Sequence, residues 1–465
     1  MSRKAPDEML RVSVAVMAAL AAITTLPALS ETAAIAAPVR ASVQALLDAA
    51  APGDIVRLSA GEYAGPVTIA KSLTLEGAPG AAIVGSGKGS VITIAAPQTI
   101  VRGLEIRGSG KDLYGMDSGV FVAQTATGAR IEQNDIIGNL VGIYLHGAKD
   151  SMARSNRIVG LRGGRTSEAG DGVSVWNAPG ARVIDNDISY GRDGIFTKVS
   201  KQNVFSGNEL RNVRFGIHYM YTNDSEISDN ISTGNNVGYA IMFSDRLRVT
   251  GNVSNGDRDH GLLLNYANGS EITGNVVRGQ VLPIERWTGA GRAGGMHGVP
   301  SEPGAANAGT GAMRLAPEKC VFIYNANKNR FQGNHFEGCA VGIHFTAGSE
   351  GNAMAGNAFI RNRNQVKYVG TRYLDWSVDG RGNYWSDNPA FDLNGDGIGD
   401  NPYRPNDLID RVLWTAPQAK VLMNSPAIQM IRWAQTQFPA LLPGGVVDSH
   451  PLMVPPEPVD EKKND

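Results

Sequence analysis

One residue type returns through this chain at nearly fixed intervals: Asn134, Asn156, Asn186, Asn208, Asn230, Asn252, Asn275, Asn334, Asn357 and Asn383. Four of the intervals are 22 residues and two are 23. The longer ones read as the same repeat plus an insertion, "RGGRTSEA" at 162–169 and a Gly/Ala-rich excursion at 283–317. A unit this short has no core of its own, so it is stable only when stacked on its neighbours.

Inside each repeat the residues after a strand-initial glycine alternate. Ile143 and Leu145 share one face in "GIYLHG", and Ile217 and Tyr219 share the same phase in "GIHYMY". Further short apolar stretches flank each Asn, as in "SEISDNIS" and "LRVTGNVS", separated by Asn, Gly, Asp and Ser turn residues. Three short strands per 22-residue coil predict an all-β, right-handed parallel β-helix of the pectate-lyase type. A leucine-rich-repeat frame is absent and a propeller needs longer blades. The repeated Asn then reads as a stacked amide ladder at about 4.8 Å spacing. A catalytic residue is needed once, not ten times.

The expected organisation is a signal peptide and leader at 1–37, the β-helix at 38–390 and an Asp/Asn/Gly loop at 391–406. A C-terminal helical tail with a disordered end follows at 407–465. "VQALLDAAAPGD" predicts a short helix capping the first coil. Arg3, Lys4 and Arg11, the run "VSVAVMAALAAITTL" and small residues at Ala28 and Ser30 have the order of a secretory signal, with an uncleaved anchor as the alternative. With 43 basic against 44 acidic residues the chain has no overall field for nucleic acid or anionic lipid. Its two cysteines, Cys320 and Cys339, exclude a disulfide scaffold but allow one bond in an oxidising compartment.

Positions two and four after the strand glycine point outward. Coil by coil they are Tyr144 and His146, Ser174 and Trp176, Phe196 and Lys198, His218 and Met220, Ala240 and Met242, Leu263 and Asn265. Apolar, thioether and imidazole groups on a face expected to be wet point to a partner or ligand surface. The bland alternative is that the insertions fold over this face. His218, Met220 and Met242 are also of the types that bind Cu(I).

Carboxylates receive the same test, because a uronate lyase or C5-epimerase needs a base and a cation. Asp171 and Asp193 precede strand glycines with Arg192 and Arg214 beside them, and Asp257, Asp259 and His260 lie further along. The structural alternative is a set of solvated turn ladders. In "DLNGDGIGD", Asp392, Asn394, Asp396, the Ile398 carbonyl and Asp400 have calcium-loop spacing, although Tyr403 stands where an EF-hand has its glutamate. "SPAIQMIRWAQTQF" sets Ile428, Ile431, Trp433 and Phe438 at near-helical spacing, predicting an amphipathic helix that caps the last coil.

The N-terminal "PGDIVRLSAGEYAGPVTIAKSLTLEG", the coil "GIHYMYTNDSEISDN" and above all "GNYWSDNPAFDLNGDGIGDNPYRP" followed by "FPALLPGGVVDSHPLM" resemble the NosD family, periplasmic maturation proteins of nitrous oxide reductase. The resemblance runs from about residue 39 to 453. It implies a non-enzymatic role: work with an ABC transporter permease and ATPase, and help in sulfur delivery and copper loading for the reductase's copper-sulfur centre. A copper chaperone is a further implied partner. No catalytic residue carries over. The face from Tyr144 to Met242 is then the candidate partner surface, and residues 428–438 the candidate transporter dock.

Overall fold

The computed structural model describes residues 42–163, 165–279, 318–346, 348–370, 372–405, 409, 422, 425–438 and 444–458. The leader, the 283–317 excursion and about half of the chain after 405 lie outside them.

The described chain winds into a right-handed parallel β-helix of about 13 turns. Every third strand joins the same sheet, giving sheets of 12, 13 and 12 parallel strands, here A, B and C. Sheet A runs from Ile55–Leu58 to Ala353–Met354, sheet B from Gly61–Ala64 to Tyr384–Trp385, and sheet C from Val67–Ile69 to Asn364–Val369. Sheet C has the expected register: Ile143, Val173, Ile195, Ile217 and Tyr239 pair in sequence, and all are buried. The first coil is closed by helix α1 (Val43–Ala49), which buries Val43 and Leu47 and is capped by the Ser42 hydroxyl. Gln44 clamps the backbone of Thr68, accepting from its N–H at 2.8 Å and donating to its carbonyl at 3.1 Å. That satisfies strand groups at an otherwise open edge.

The ten asparagines form one continuous ladder. The Asn208 side chain donates to Asn230 Oδ1 at 2.8 Å, and the Asn208 backbone N–H donates to the same oxygen at 3.0 Å. The Asn230 amide donates in turn to Asn252 Oδ1 at 2.9 Å and to the Phe205 carbonyl at 2.9 Å. Asn230 thus accepts an N–H that the bend takes out of the sheets and donates to a carbonyl of sheet A, and every asparagine of the ladder is buried.

The last rung corrects the expected cap. Asn383 donates its backbone N–H to Asp448 Oδ2 at 2.7 Å, and the Trp385 indole N–H donates to the same oxygen at 2.7 Å. Val446–Val447 pairs with Leu374–Asp375, and Phe359, Trp376 and Trp385 stack beneath. The coil end is therefore closed by the 446–453 segment. Helix α2 (Pro426–Gln437), capped by Ser425, does form, but it leaves Ile431, Trp433 and Phe438 exposed and Ile428 half-buried. Burial of its apolar face, the expected reason for the helix, is not what the structure shows. Cys320 and Cys339 are bonded inside the core, their Cα atoms 5.6 Å apart.

Replacing Asn230 with alanine strips two N–H groups of Asn208 of their acceptor and the Phe205 carbonyl of its donor. A loss of about 3 kcal/mol is expected, read as a lower urea midpoint.

Candidate functional site

Two outward rows run up sheet C in register. One is Phe121, Tyr144, Ser174, Phe196, His218, Ala240 and Leu263; the other is His146, Trp176, Lys198, Met220, Met242 and Asn265. The residues fall where the alternation put them, but the face is not uniformly wet. Tyr144 is 8% exposed and His218 7%, while Trp176 and Lys198 are exposed and the two methionines half-buried. The cover at the lower end is local: Leu113 and Met116 of the preceding loop, and Leu161 beside the 162–169 insertion, pack with Leu140, Val141 and Tyr144 into a second small core. Above it His146 stacks on Trp176 at 4.7 Å.

Asp171 and Asp193 are buried, not solvated as a turn ladder would be. Each lies beneath the arginine of the next coil. Arg192 grips Asp171 with two bonds of 3.1 Å, and Arg214 grips Asp193 with bonds of 2.8 and 2.6 Å. Such forks supply the charge and hydrogen bonds a buried carboxylate requires. The glycine after each aspartate permits the close stacking: a Cβ on Gly194 would stand 2.5 Å from the Gly216 carbonyl oxygen.

His218 Nδ1 lies 3.0 Å from Asp193 Oδ2, with the rings of Phe196 and Phe215 at 5.0 and 4.8 Å. Burial pushes both carboxyls up. At Asp193 the His218 and Arg214 bonds outweigh it and hold the pKa down to about 2; at Asp171 burial and the neighbouring Asp193 charge prevail, to about 6. An ionised Asp193 accepts from His218 Nδ1–H and so fixes the ring with Nε2 as its other nitrogen. That atom is buried and has no hydrogen-bond partner. Met220 lies on the same strand and face and pairs directly with Met242.

The other candidates do not converge on this cluster. His260 lies three coils beyond Asp193 in the register, about 14 Å along the axis, with its Nδ1 against the Asp259 carbonyl and its pKa lowered to about 4 by burial and Lys319. Asp257 occupies the rung that Asn235 fills one coil earlier, accepting the Asn235 N–H at 2.8 Å and the Ser254 hydroxyl at 2.6 Å. In the 392–400 loop, Asp392 accepts from the backbone of Gly395 and Gly397, Asp396 from Ile398 and Asp400 from Leu393. Among the described residues no three His, Cys, Asp or Glu side chains are grouped to share a metal ion.

The family model "Periplasmic copper-binding protein (NosD)" matches residues 155–390. The "Probable ABC transporter binding protein NosD" of Stutzerimonas stutzeri is 41% identical over 397 residues, 85% of this chain and 86% of that protein. The protein of the same name from Pseudomonas aeruginosa is 39% identical over 396 residues, 85% of this chain and 87% of that protein. The chain belongs to the NosD family. Among solved structures, the family 28 exopolygalacturonase of Yersinia enterocolitica is 11% identical and superposes with a TM-score of 0.44, over 70% of this chain and 73% of that one.

In this NosD-family chain the sequence reading missed two features. Asp448 is a ladder rung in all but spacing, and its signal was only the distinctive "VVDSHPLM" segment. The second is a row of aromatics at Tyr221, Phe243 and Tyr266, one residue beyond the outward row, which stack at 5.0 and 5.1 Å. Its signal was an aromatic recurring with the coil period.

Burial raises the Asp257 pKa from the ordinary 3.8 to about 6. The folded state therefore binds that proton more tightly than the unfolded chain. The associated stability is full below pH ~4 and is lost as pH rises through ~6. Asp257→Asn places at this rung the residue already present as Asn235, whose amide donates to Ser232. It should stabilise the protein at pH 7 by about 3 kcal/mol, the gain vanishing near pH 4, as read by denaturant titrations at both values.

Proposed function

We propose that this protein is a periplasmic accessory factor that docks on an ABC transporter and takes part in loading copper into the copper-sulfur centre of nitrous oxide reductase. The observation that carries the copper half is the Asp193–His218 pair beside Met220 and Met242. A carboxylate that holds one imidazole nitrogen orients the other and raises its basicity, a common arrangement behind metal-ligating histidines. An unpartnered buried Nε2 is costly unless something completes it. Thioethers with imidazole suit Cu(I), a soft cation handed on as cargo. His218, Met220 and Met242 are the residues that would hold it, with the half-buried methionines in the outward row next to that of His218. The names of the family and of its relatives agree with this reading.

For the transporter half, helix α2 offers Ile431, Trp433 and Phe438 at the surface and Ile428 half-buried. Exposed aromatics of that kind are the usual anchors of protein interfaces. Sulfur delivery follows from the family resemblance alone, and so does the part played by a chaperone. The uronate-enzyme reading loses ground because Asp193 is committed to Arg214 and His218, with His260 three coils away.

Producing the reductase with the His218→Ala, Met220→Leu, Met242→Leu protein should yield enzyme whose copper-sulfur centre is depleted in optical spectrum and copper content. Unchanged maturation would sink the copper half. Trp433→Ala with Phe438→Ala should abolish co-purification with the transporter subunits while leaving thermal unfolding within a degree or two. Intact co-purification would count against the dock.

A further inference from the structure

The corner joining sheet C to sheet A contains, in six successive coils, a non-glycine residue with left-handed backbone immediately after the outward row. In coil order these are Asn177, Val199, Tyr221, Phe243, Tyr266 and Asn325, with φ between 46° and 55°. Asparagine occupies this conformation readily. Valine and the aromatics meet a steric cost of about 1 kcal/mol or more each. Stacking offsets part of that cost, since the Tyr221–Phe243 and Phe243–Tyr266 rings are within 13° and 9° of parallel.

Stacking does not account for exposure. Val199 and Tyr221 are each 48% exposed and Tyr266 42%. The asparagine found at both ends of the row would make the same turn without showing apolar surface. The rings lie face to face along the axis, so what they offer outward is a ridge of ring edges, with Met220 and Met242 beside it.

At its lower end the ridge runs into a groove of about 570 Å³ lined by Lys149, Asp150, Arg182, Lys201 and Gln202 among others. Elsewhere on the solenoid an arginine commonly finds an acid one coil away, as Arg211 does with Asp187, Arg246 with Asp224 and Arg248 with Glu226. Lys149, Arg182, Lys198 and Lys201 form no such close pair among the described residues, although Lys201 lies near enough to Asp224, itself gripped by Arg246, to lower its pKa. Three cations against the Asp150 carboxylate line the groove, with Lys198 three residues before Lys201, and make a local positive field on a chain whose net charge is −1.

We propose that this corner is a docking track for an extended segment of a partner protein, acidic at the end over the groove and apolar along the ridge. Charge complementarity selects the acidic end, and the exposed aromatic ridge selects the apolar one. The track spans six coils from Asp150 to Tyr266, about 24 Å, the length of about seven extended residues. It does not add a strand to the sheets, because the lateral strands of every coil are already paired on both sides. None of its defining residues is assigned to copper or to the transporter, so its failure leaves those readings standing.

The test titrates the full chain into a fluorescein-labelled synthetic peptide of four acidic residues followed by alternating serine and leucine, read by anisotropy. Saturable binding is expected, weakened by roughly tenfold or more by Lys149→Glu with Arg182→Glu and Lys201→Glu, and similarly by raised salt. Tyr221→Asn with Phe243→Asn and Tyr266→Asn should weaken it as much while keeping the fold, because asparagine already fills this backbone position at Asn177 and Asn325. Should that triple variant not fold, Tyr221→Asn alone decides by the same comparison. Lack of saturable binding, unchanged affinity in the asparagine variant, or equal affinity for an all-acidic peptide would overturn the proposal. So would binding of phosphatidylglycerol vesicles through the same cations without binding of the peptide.

Discussion

The side-chain amide of asparagine is bonded four ways in this molecule. Its oxygen takes two N–H groups from the coil below, and its nitrogen reaches both the next asparagine and a carbonyl of a sheet A strand. Backbone at a bend cannot use the sheet ladder, and buried backbone groups without partners cost about 1–3 kcal/mol each. Without the amide row the corner would have to open to water, and the stacked coils would lose their common spacing. The row also needs an end. Asp448 supplies it with a carboxylate that accepts from Asn383 and Trp385, which is why a segment far along the chain belongs to the last coil.

Regular spacing has a consequence for charge. Groups of successive coils face each other at about 4.8 Å, so an acid beneath a base is gripped firmly, and an acid stacked on a neutral rung is stranded. Asp193 is the first case, with Arg214 and His218 both bonded to it. Asp257 is the second, its burial only partly offset by the hydroxyls of Ser254 and Ser232, the Asn235 N–H and the Arg258 charge. The same geometry converts Asp193 into a positioning group: it holds one nitrogen of His218 and leaves the other buried without a hydrogen-bond partner. The ladder that makes the fold rigid thereby makes a histidine rigid.

Much of the architecture was legible because its signals are local. Strand alternation has a period of two, the coil has a period near 22, and asparagine recurs at the position where each bend needs an amide. Those patterns gave the sheets, the inward and outward phases and the residues of each outward row without any knowledge of contacts. They were silent where a property depends on what lies across the surface. Tyr144 and Met242 occupy comparable outward positions, yet one is sealed beneath Leu113, Met116 and Leu161 and the other is half-open, because a loop crosses only one of them.

The helix at 426–437 makes the same point. Its Ser-Pro start and apolar spacing predicted a helix correctly, since capping and periodicity act within a few residues. What the helix packs on is a matter of distant chain, and the coil end was taken by residues 446–453 instead. By itself, then, the sequence determined the solenoid, its register and the face on which the unusual side chains lie, because hydrogen-bond periodicity and side-chain alternation are set over a few bonds. Only the tertiary structure decided which of those side chains are desolvated, which carboxylates meet arginine, and which left-handed aromatics stand exposed. Each of those depends on water being excluded by residues remote in sequence.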